Sequence, residues 1–286
     1  MASTTDFMNN TTADQVVIEL WAKEAIYARE KALVFANLVW RVFEKDLRAF
    51  GDTVHVNSRS HLSTQTKTTR QPIVYEALTD TNTDITVNTW EYCAIAVETK
   101  TKKQSNRDLM DFYAPEQGYT LALSIDTSLG NYIDGVTNSV GTLAINLSHS
   151  DLRRARQYLD DAEVPQEGRV MIVSPAEESG FLDMPQMIHE DYRRLQSGGE
   201  MSAKDRAYVK TWLDIPIYKT TNVEGSNAAG HDNVMMHKEG IALVVQMEAT
   251  SHVFFDIDYL ANKAVVEQLY GSAKMRDDHI VWLKGA

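Results

Sequence analysis

The stretch from Val54 to Thr99 constrains this chain more than any other. It reads as two long strand arms, Val54 to Tyr75 and Ile85 to Glu98, because Thr, Val, Ile and aromatic residues recur there with a period of two. Ile85, Val87 and Thr89 share one face; Tyr92, Ala94 and Ala96 share another further on. Between the arms, Thr79 to Asp84 is polar turn chemistry. A lone two-stranded ribbon is marginal in water, and its edges offer unpaired backbone groups to other chains. Its apolar side chains, Ile73, Tyr75, Ile85, Val87, Trp90 and Tyr92, are too few and too spread out for a separate core. Ordering each residue nevertheless costs on the order of 1 kcal/mol in backbone entropy. The ribbon therefore has to rest on something: its own domain, as an insertion, or a neighbouring subunit.

The flanking segments are helical in pattern. Residues 1 to 13 are Ser/Thr/Asn-rich and aperiodic, a tail. Val17, Trp21, Ala25, Ala28, Ala32 and Phe35 then recur at spacings of three and four, on one helix face. Asn37 to Phe50 fits a helix end or a strand, and Gly51-Asp52 is a turn signal. After a polar joint at Lys100 to Arg107, Pro115 suits the first turn of a helix. Leu121, Ala122, Ile125, Leu129 and Tyr132 form its stripe.

From residue 136 to about 240 the texture changes. Ser148 and Asp151 have capping-box spacing at the head of a helix carrying Leu152, Ala155 and Leu159. Val170 to Val173 is a buried-strand run. Glu177 to Leu195 reads as mostly helical, Trp212 to Tyr218 as a strand in which Pro216 argues for an edge or bulge, and Asn222 to Asn233 as turns. The chain then returns to strands: Ile241 to Met247, an alternating segment from His252 to Tyr259, and His279 to Leu283. Alternating β and α elements suit a compact mixed domain.

Of the 286 residues 43% are hydrophobic, enough for a sizeable core, and the formal net charge is -12. That balance argues against coating nucleic acid with a broad basic surface, though not against a container whose inner wall faces DNA. Cys93 is the only cysteine, so an intrachain disulfide and a cysteine-based zinc cluster are excluded. No apolar run reaches the ~18–20 residues of a membrane span, and Met1 to Thr12 lacks the apolar core of a signal peptide. The reading is a soluble protein made in the cytoplasm. No phosphate loop, nucleophile elbow or dinucleotide fingerprint is present. His231 and His237 flank Asp232 without a recognised zinc spacing, and no metal or cofactor is expected. Asp256 and Asp258 share a strand face and fit either acid–base work or ion pairing. Adjacent Asp277, Asp278 and His279 cannot all point one way from a strand. Arg153, Arg154 and Arg156 fit a solvated helix face, a phosphate contact or an acidic neighbour.

The order of these segments carries a resemblance. The N-terminal helix is followed by Leu38-Val39 to Phe43-Glu44, the Gly51 to Val54 turn and the Thr-rich ribbon. Next come a central helix with Ala122, Ile125 and Asp126, the Val170 to Pro175 strand, Ile217-Tyr218 to Asn222-Val223, and Tyr270-Gly271 before Arg276. From about Asp14 to Leu283 this resembles a major capsid protein of a tailed bacteriophage, with the α+β Hong Kong 97-type fold. One departure is Lys210-Thr211-Trp212-Leu213-Asp214, where many relatives have glycines.

The resemblance implies an N-terminal arm over residues 1–50 and an extended loop over 51–105. It implies a peripheral domain from 106–139 and 241–286, containing the central helix, and an axial domain over 140–240. It implies hexamers and pentamers of the chain itself, closed into an icosahedral shell around double-stranded DNA bound without sequence specificity, assembled in the host cytoplasm and carried in the virion. A separate scaffolding protein and a portal protein are the implied partners; a decoration protein is left open. Trp21, Phe35, Trp90, Tyr92, Arg153 and Arg154 are the expected inter-subunit contacts. Some relatives join a loop lysine to a neighbour's asparagine, but Lys67 and Asn262 lie in no matching pattern, so no cross-link is expected. The alternatives are an encapsulin-like nanocompartment shell and a carboxylate/histidine hydrolase.

Overall fold

The computed structural model describes residues 34–47, 51–58, 62–73, 75–77, 81–104, 109–184 and 208–286. Two single helical turns, α1 (Phe35–Leu38) and α2 (Glu44–Leu47), precede β1 (Thr53–Ser58), β2 (Thr81–Thr86) and β3 (Thr89–Glu98). A short α3 (Thr99–Gln104) leads to the long α4 (Leu109–Gly130). Then follow β4 (Ser139–Gly141), α5 (His149–Asp161), β5 (Arg169–Val173) and α6 (Pro175–Phe181). After residue 207 come β6 (Tyr208–Trp212), β7 (Ile215–Lys219), β8 (Gly225–Ser226) and β9 (Gly230–His237). The chain closes with β10 (Ile241–Asp256), β11 (Ala261–Lys274) and β12 (Ile280–Gly285). Among the described residues no helix is long and apolar enough to cross a membrane.

The expected single ribbon from Val54 to Glu98 is divided in two. β1 and β2 pair antiparallel from Thr53↔Thr86 to Ser58↔Thr81. Residues 62–73 and 75–77 are exposed and irregular. β3 leaves the ribbon and pairs with β11 over its whole length, completing a three-stranded sheet in the order β10-β11-β3. The sequence reading missed β11 because Gln268 interrupts its apolar face. That side chain is buried but hydrogen-bonded, its Nε2 donating to the Leu121 carbonyl at 3.0 Å, so a polar residue occupies an interior position without an unpaired donor.

The root of the ribbon rests on its own chain. Ile85 and Val87 are buried against Ala242 and Val244, with Val54, Val56, Leu269 and Ala273 packed around them. The approach is close enough to require a glycine: a Cβ on Gly271 would lie 2.3 Å from the Thr86 carbonyl oxygen.

Strand alternation builds the second unit. The seven-stranded sheet runs β4-β12-β9-β5-β7-β6, with β8 on β9; β12 and β4 are parallel, as are β5 and β7. Met171, Val173, Ile215, Ile217, Met235, Val281 and Leu283 face Leu152, Ala155 and Leu159 of α5. The intervening residues, Val170, Ile172, Val234, Met236 and Ile280, face Ile125 and Leu129 at the end of α4 and Ile133 in the turn after it, together with Phe35 and Leu243. Burying each such side chain contributes ~1.5–3 kcal/mol. β12 therefore belongs to this sheet, although the domain division read from the resemblance grouped residues 241–286 with the central helix.

Local signals explain the termini. Ser148 caps α5 in a reciprocal box with Asp151. Ser174 caps α6, with Pro175 at its first position. α6 ends at Phe181, so the described part of the Glu177 to Leu195 helix is short. Pro115 does not open the central helix; it lies inside α4, which starts at Leu109. The strand expected over Trp212 to Tyr218 is a hairpin of β6 and β7. Its turn residues, Leu213 and Asp214, have φ of 46° and 68°, the left-handed pair that a two-residue hairpin loop needs.

Asp126 ties the arm to the helix. It is 1% exposed, and its Oδ1 accepts the Phe35 backbone N–H at 2.9 Å. Burial drives its carboxyl up from 3.8 to about 6, against hydrogen bonds from Asn222 and the backbone of residues 34–36. Because the folded pKa is the higher one, the folded state holds the proton more tightly. This contribution to stability is fully present below pH ~4 and is lost as pH rises through about 6. Melting temperature measured from pH 4 to 7 is therefore expected to fall less steeply in Asp126→Asn than in the wild type; parallel profiles would contradict this. Separately, Gly271→Ala is expected to cost about 1–3 kcal/mol in urea unfolding, since the ribbon root must shift off the sheet. A variant as stable as the wild type would show that the contact is looser than described.

Candidate assembly surface

The three-stranded sheet has two unlike faces. On β3, Glu91, Cys93, Ile95 and Val97 turn toward α4, and Trp90, Tyr92, Ala94 and Ala96 turn away, following the pleat. The helix side is closed by polar groups as well as apolar ones. Glu91 Oε1 accepts from Ser124 Oγ at 2.8 Å and Tyr270 OH at 3.2 Å, and its Oε2 accepts from Gln268 Nε2 at 3.2 Å. Gln117 Nε2 donates to the Cys93 carbonyl at 3.0 Å. Burial raises the Cys93 thiol pKa.

Among the described residues, the other face is covered only at one end, by the ribbon root. Beyond it, Trp90 is 68% and Tyr92 72% exposed. Trp90 Nε1 donates to Glu267 Oε2 at 2.9 Å, and Glu267 Oε1 meets His252 Nε2 at 3.1 Å. The row continues to Phe254 and to the β10–β11 turn, where Ile257, Tyr259 and Leu260 are exposed. Leu62, Ile73 and Tyr75 of the irregular loop are exposed too. Large apolar side chains gathered on one face, with a bonded tryptophan among them, mark a surface made to be covered.

The other expected contacts fall differently. Phe35 is 0% exposed and lies in the chain's own core, so it is no surface contact. Trp21 lies outside the described residues. Arg153 and Arg154 are exposed on the solvent side of α5; the Arg154 guanidinium stands 5.1 Å from the Tyr158 ring centroid. Arg156 pairs with Asp160 at 3.7 Å. Lys67 is exposed, and Asn262 sits in β11 opposite Val97 and Phe255.

No acid–base pair emerges from the carboxylates considered in the sequence. Asp256 accepts from Lys263 and from the Asp258 backbone N–H; the lysine bond holds its carboxyl below the ordinary range. It shapes the β10–β11 turn. Burial alone would raise the Asp277 carboxyl, but hydrogen bonds from Lys274 and Thr137 hold it low. His231 and His237 stand at opposite ends of β9: His231 bonds Asn227 at 3.0 Å and Asp232 accepts from Trp282 Nε1 at 2.9 Å. His237 instead meets His279 and Glu239, a grouping that sequence spacing does not reveal because the two histidines are far apart in the chain.

No family model and no curated protein matches the chain by sequence. Its fold matches solved particle structures over nearly its full length. A structure from Mycobacterium phage Che8 superposes with a TM-score of 0.70 at 19% identity, covering 88% of this chain and 91% of that one. The capsid structure of cyanophage P-SCSP1u gives 0.66 at 15%, covering 89% and 88%. A virus-like particle from Pyrococcus furiosus gives 0.58 at 11%, covering 93% and 99%. The chain has an α+β capsid fold.

Trp90→Ala is expected to change subunit stability by about 0.5 kcal/mol or less, as for other exposed positions, while weakening association between copies by about 2 kcal/mol or more. Urea unfolding and concentration-dependent light scattering separate the two effects. Unchanged association would remove Trp90 from the contact.

Proposed function

We propose that the chain is a capsid shell subunit that assembles with copies of itself through hexamers and pentamers into an icosahedral shell around double-stranded DNA. The observation that carries this reading is the capsid fold over nearly the whole chain. The sheet face around Trp90 and Tyr92, left uncovered by the described residues of its own subunit, supports it. The proposed role is structural, with no catalysis. Many modest contacts suffice when they close a ring, because each later contact forms within an assembly already held together.

In this reading the ribbon root and residues 62–77 form the extended loop, reaching a neighbouring subunit. α4 and the three-stranded sheet form the peripheral domain. The seven-stranded sheet, including β12, forms the axial domain, with its tip at the capsomer axis. A separate scaffolding protein guides assembly, a portal occupies one vertex, and the product is a virion component assembled in the host cytoplasm; a decoration protein remains an optional addition. Trp90, Tyr92, Arg153 and Arg154 are the proposed contacts.

Likeness to the Pyrococcus virus-like particle favours one second reading, a nanocompartment shell holding protein cargo. Electron microscopy and sedimentation of the purified protein, alone and with a co-expressed scaffolding protein, test assembly. Closed shells or capsomers are expected. A chain that stays monomeric at high concentration in both conditions would contradict the proposal. Nuclease-protected DNA inside particles distinguishes a genome container from a cargo compartment.

A further inference from the structure

We propose that His237, Glu239 and His279 form a binding site for one divalent transition-metal ion of the zinc class, placed where the chain crosses between its seven-stranded and three-stranded sheets. One donor atom from each residue lies within 4.8 Å of the other two. His237 is the last residue of β9 and caps the short 3-10 turn Lys238–Gly240, which holds Glu239 and leads into β10; His279 ends the 3-10 turn Asp277–His279, which leads from β11 back to β12. A metal ion here would bridge both crossings.

The donors are prepared in ways that suit coordination. His237 is 2% and His279 3% exposed. His237 Nε2 lies 2.9 Å from the Glu167 carbonyl, so it donates there and Nδ1 keeps its lone pair. A backbone carbonyl behind a histidine in this way fixes the ring of many metal ligands. Nδ1 then meets only the Glu239 backbone N–H, at 3.3 Å. His279 Nδ1 is buried with no hydrogen-bond partner, a costly condition for a polar atom; an ion bound there would relieve it in the tautomer that carries the proton on Nε2, with the 3.5 Å contact from Arg276 to Nε2 opened. The rings meet edge to face, 5.5 Å apart centroid to centroid at 78°. Two imidazoles and a carboxylate make a zinc-type set, with a water completing the tetrahedron; calcium and magnesium favour all-oxygen sites. Ligation needs neutral rings.

Neighbouring charges set the affinity. Arg276 Nη1 is 3.5 Å from His279 Nε2 and opposes a cation, as do Lys238 and Arg169 near His237. Asp278 and Glu239 favour one. Metal–nitrogen bonds of ~2.0–2.1 Å require the side chains to draw inward. An ion that binds only the folded chain stabilises it, and here it would lock the relative position of the two sheets.

The test is a cobalt titration of chelator-treated, full-length protein, followed by visible absorption of four-coordinate cobalt, with zinc competition and melting temperature as second readouts. One cobalt per chain, displaced by zinc, is expected, with a zinc-dependent rise in melting temperature. His279→Asn and Glu239→Gln should each weaken cobalt binding by about tenfold or more, while His231→Asn leaves it unchanged. Glu239 is partly exposed, so Glu239→Gln decides the matter if His279→Asn does not fold. Absence of saturable binding in the wild type, or wild-type affinity in Glu239→Gln, would overturn the proposal.

Discussion

The two sheets are held together where the chain passes from one to the other and back. The Gly240 carbonyl accepts the backbone N–H of Met275 at 2.8 Å and of Arg276 at 3.2 Å, so the outgoing and returning crossings are clasped directly. A side chain at 240 would not fit, since its Cβ would lie 2.7 Å from Ile280 Cγ1. One apolar cluster then runs across the junction, from Val170 and Met236 in the seven-stranded sheet to Leu243 and Tyr270 in the three-stranded one, with Phe35, Ile125 and Leu129 beside them. Through this clasp, a load applied to the β10–β11 hairpin reaches the seven-stranded sheet directly. Close-packed interiors transmit strain rather than absorbing it.

Much of this was legible in the sequence where a local rule decides the outcome. The Ser148–Asp151 box and the Val170 to Val173 run are set by capping chemistry and continuous apolar residues, and they stand as read; the last strand is there too, but it starts at Ile280, with His279 in the 3-10 turn before it. Elements whose identity depends on partners were harder. β3 alternates as any half-buried strand does, and nothing within Thr89 to Glu98 reveals that it pairs with β11 rather than with the ribbon arm before it. β11 was invisible because Gln268 and Glu267 interrupt its apolar pattern, and the groups that receive them, the Leu121 carbonyl and Trp90 Nε1, lie far away in the chain. Pro115 was placed at a helix start by propensity, but tertiary packing of Met110 and Ala114 carries the helix past it.

The surface residues were legible in part, for a similar reason. Trp90 and Tyr92 fall two apart on a strand, so the pleat puts them on one face, and the described residues leave that face open. Phe35 belongs to a helical stripe in the sequence, yet the fold spends it on the chain's own core. Hydrophobic spacing identifies a face that must be covered; it does not say by which chain. In the proposed reading that face has a role, because a shell subunit would keep apolar surface in reserve for its copies; residues 62–73 and 75–77 are exposed and irregular, so ordering them costs backbone entropy that contacts elsewhere must offset.

Hydrogen exchange compared between the free subunit and the assembled particle tests this most directly. The account predicts rapid exchange over residues 62–77 in the free subunit and marked protection of that segment, and of the open side of Thr89 to Glu98, in the particle. The ribbon root at residues 53–58 and 81–86 should be protected in both. Equal exchange of residues 62–77 in the two states would contradict the claim that this surface is completed by neighbouring copies.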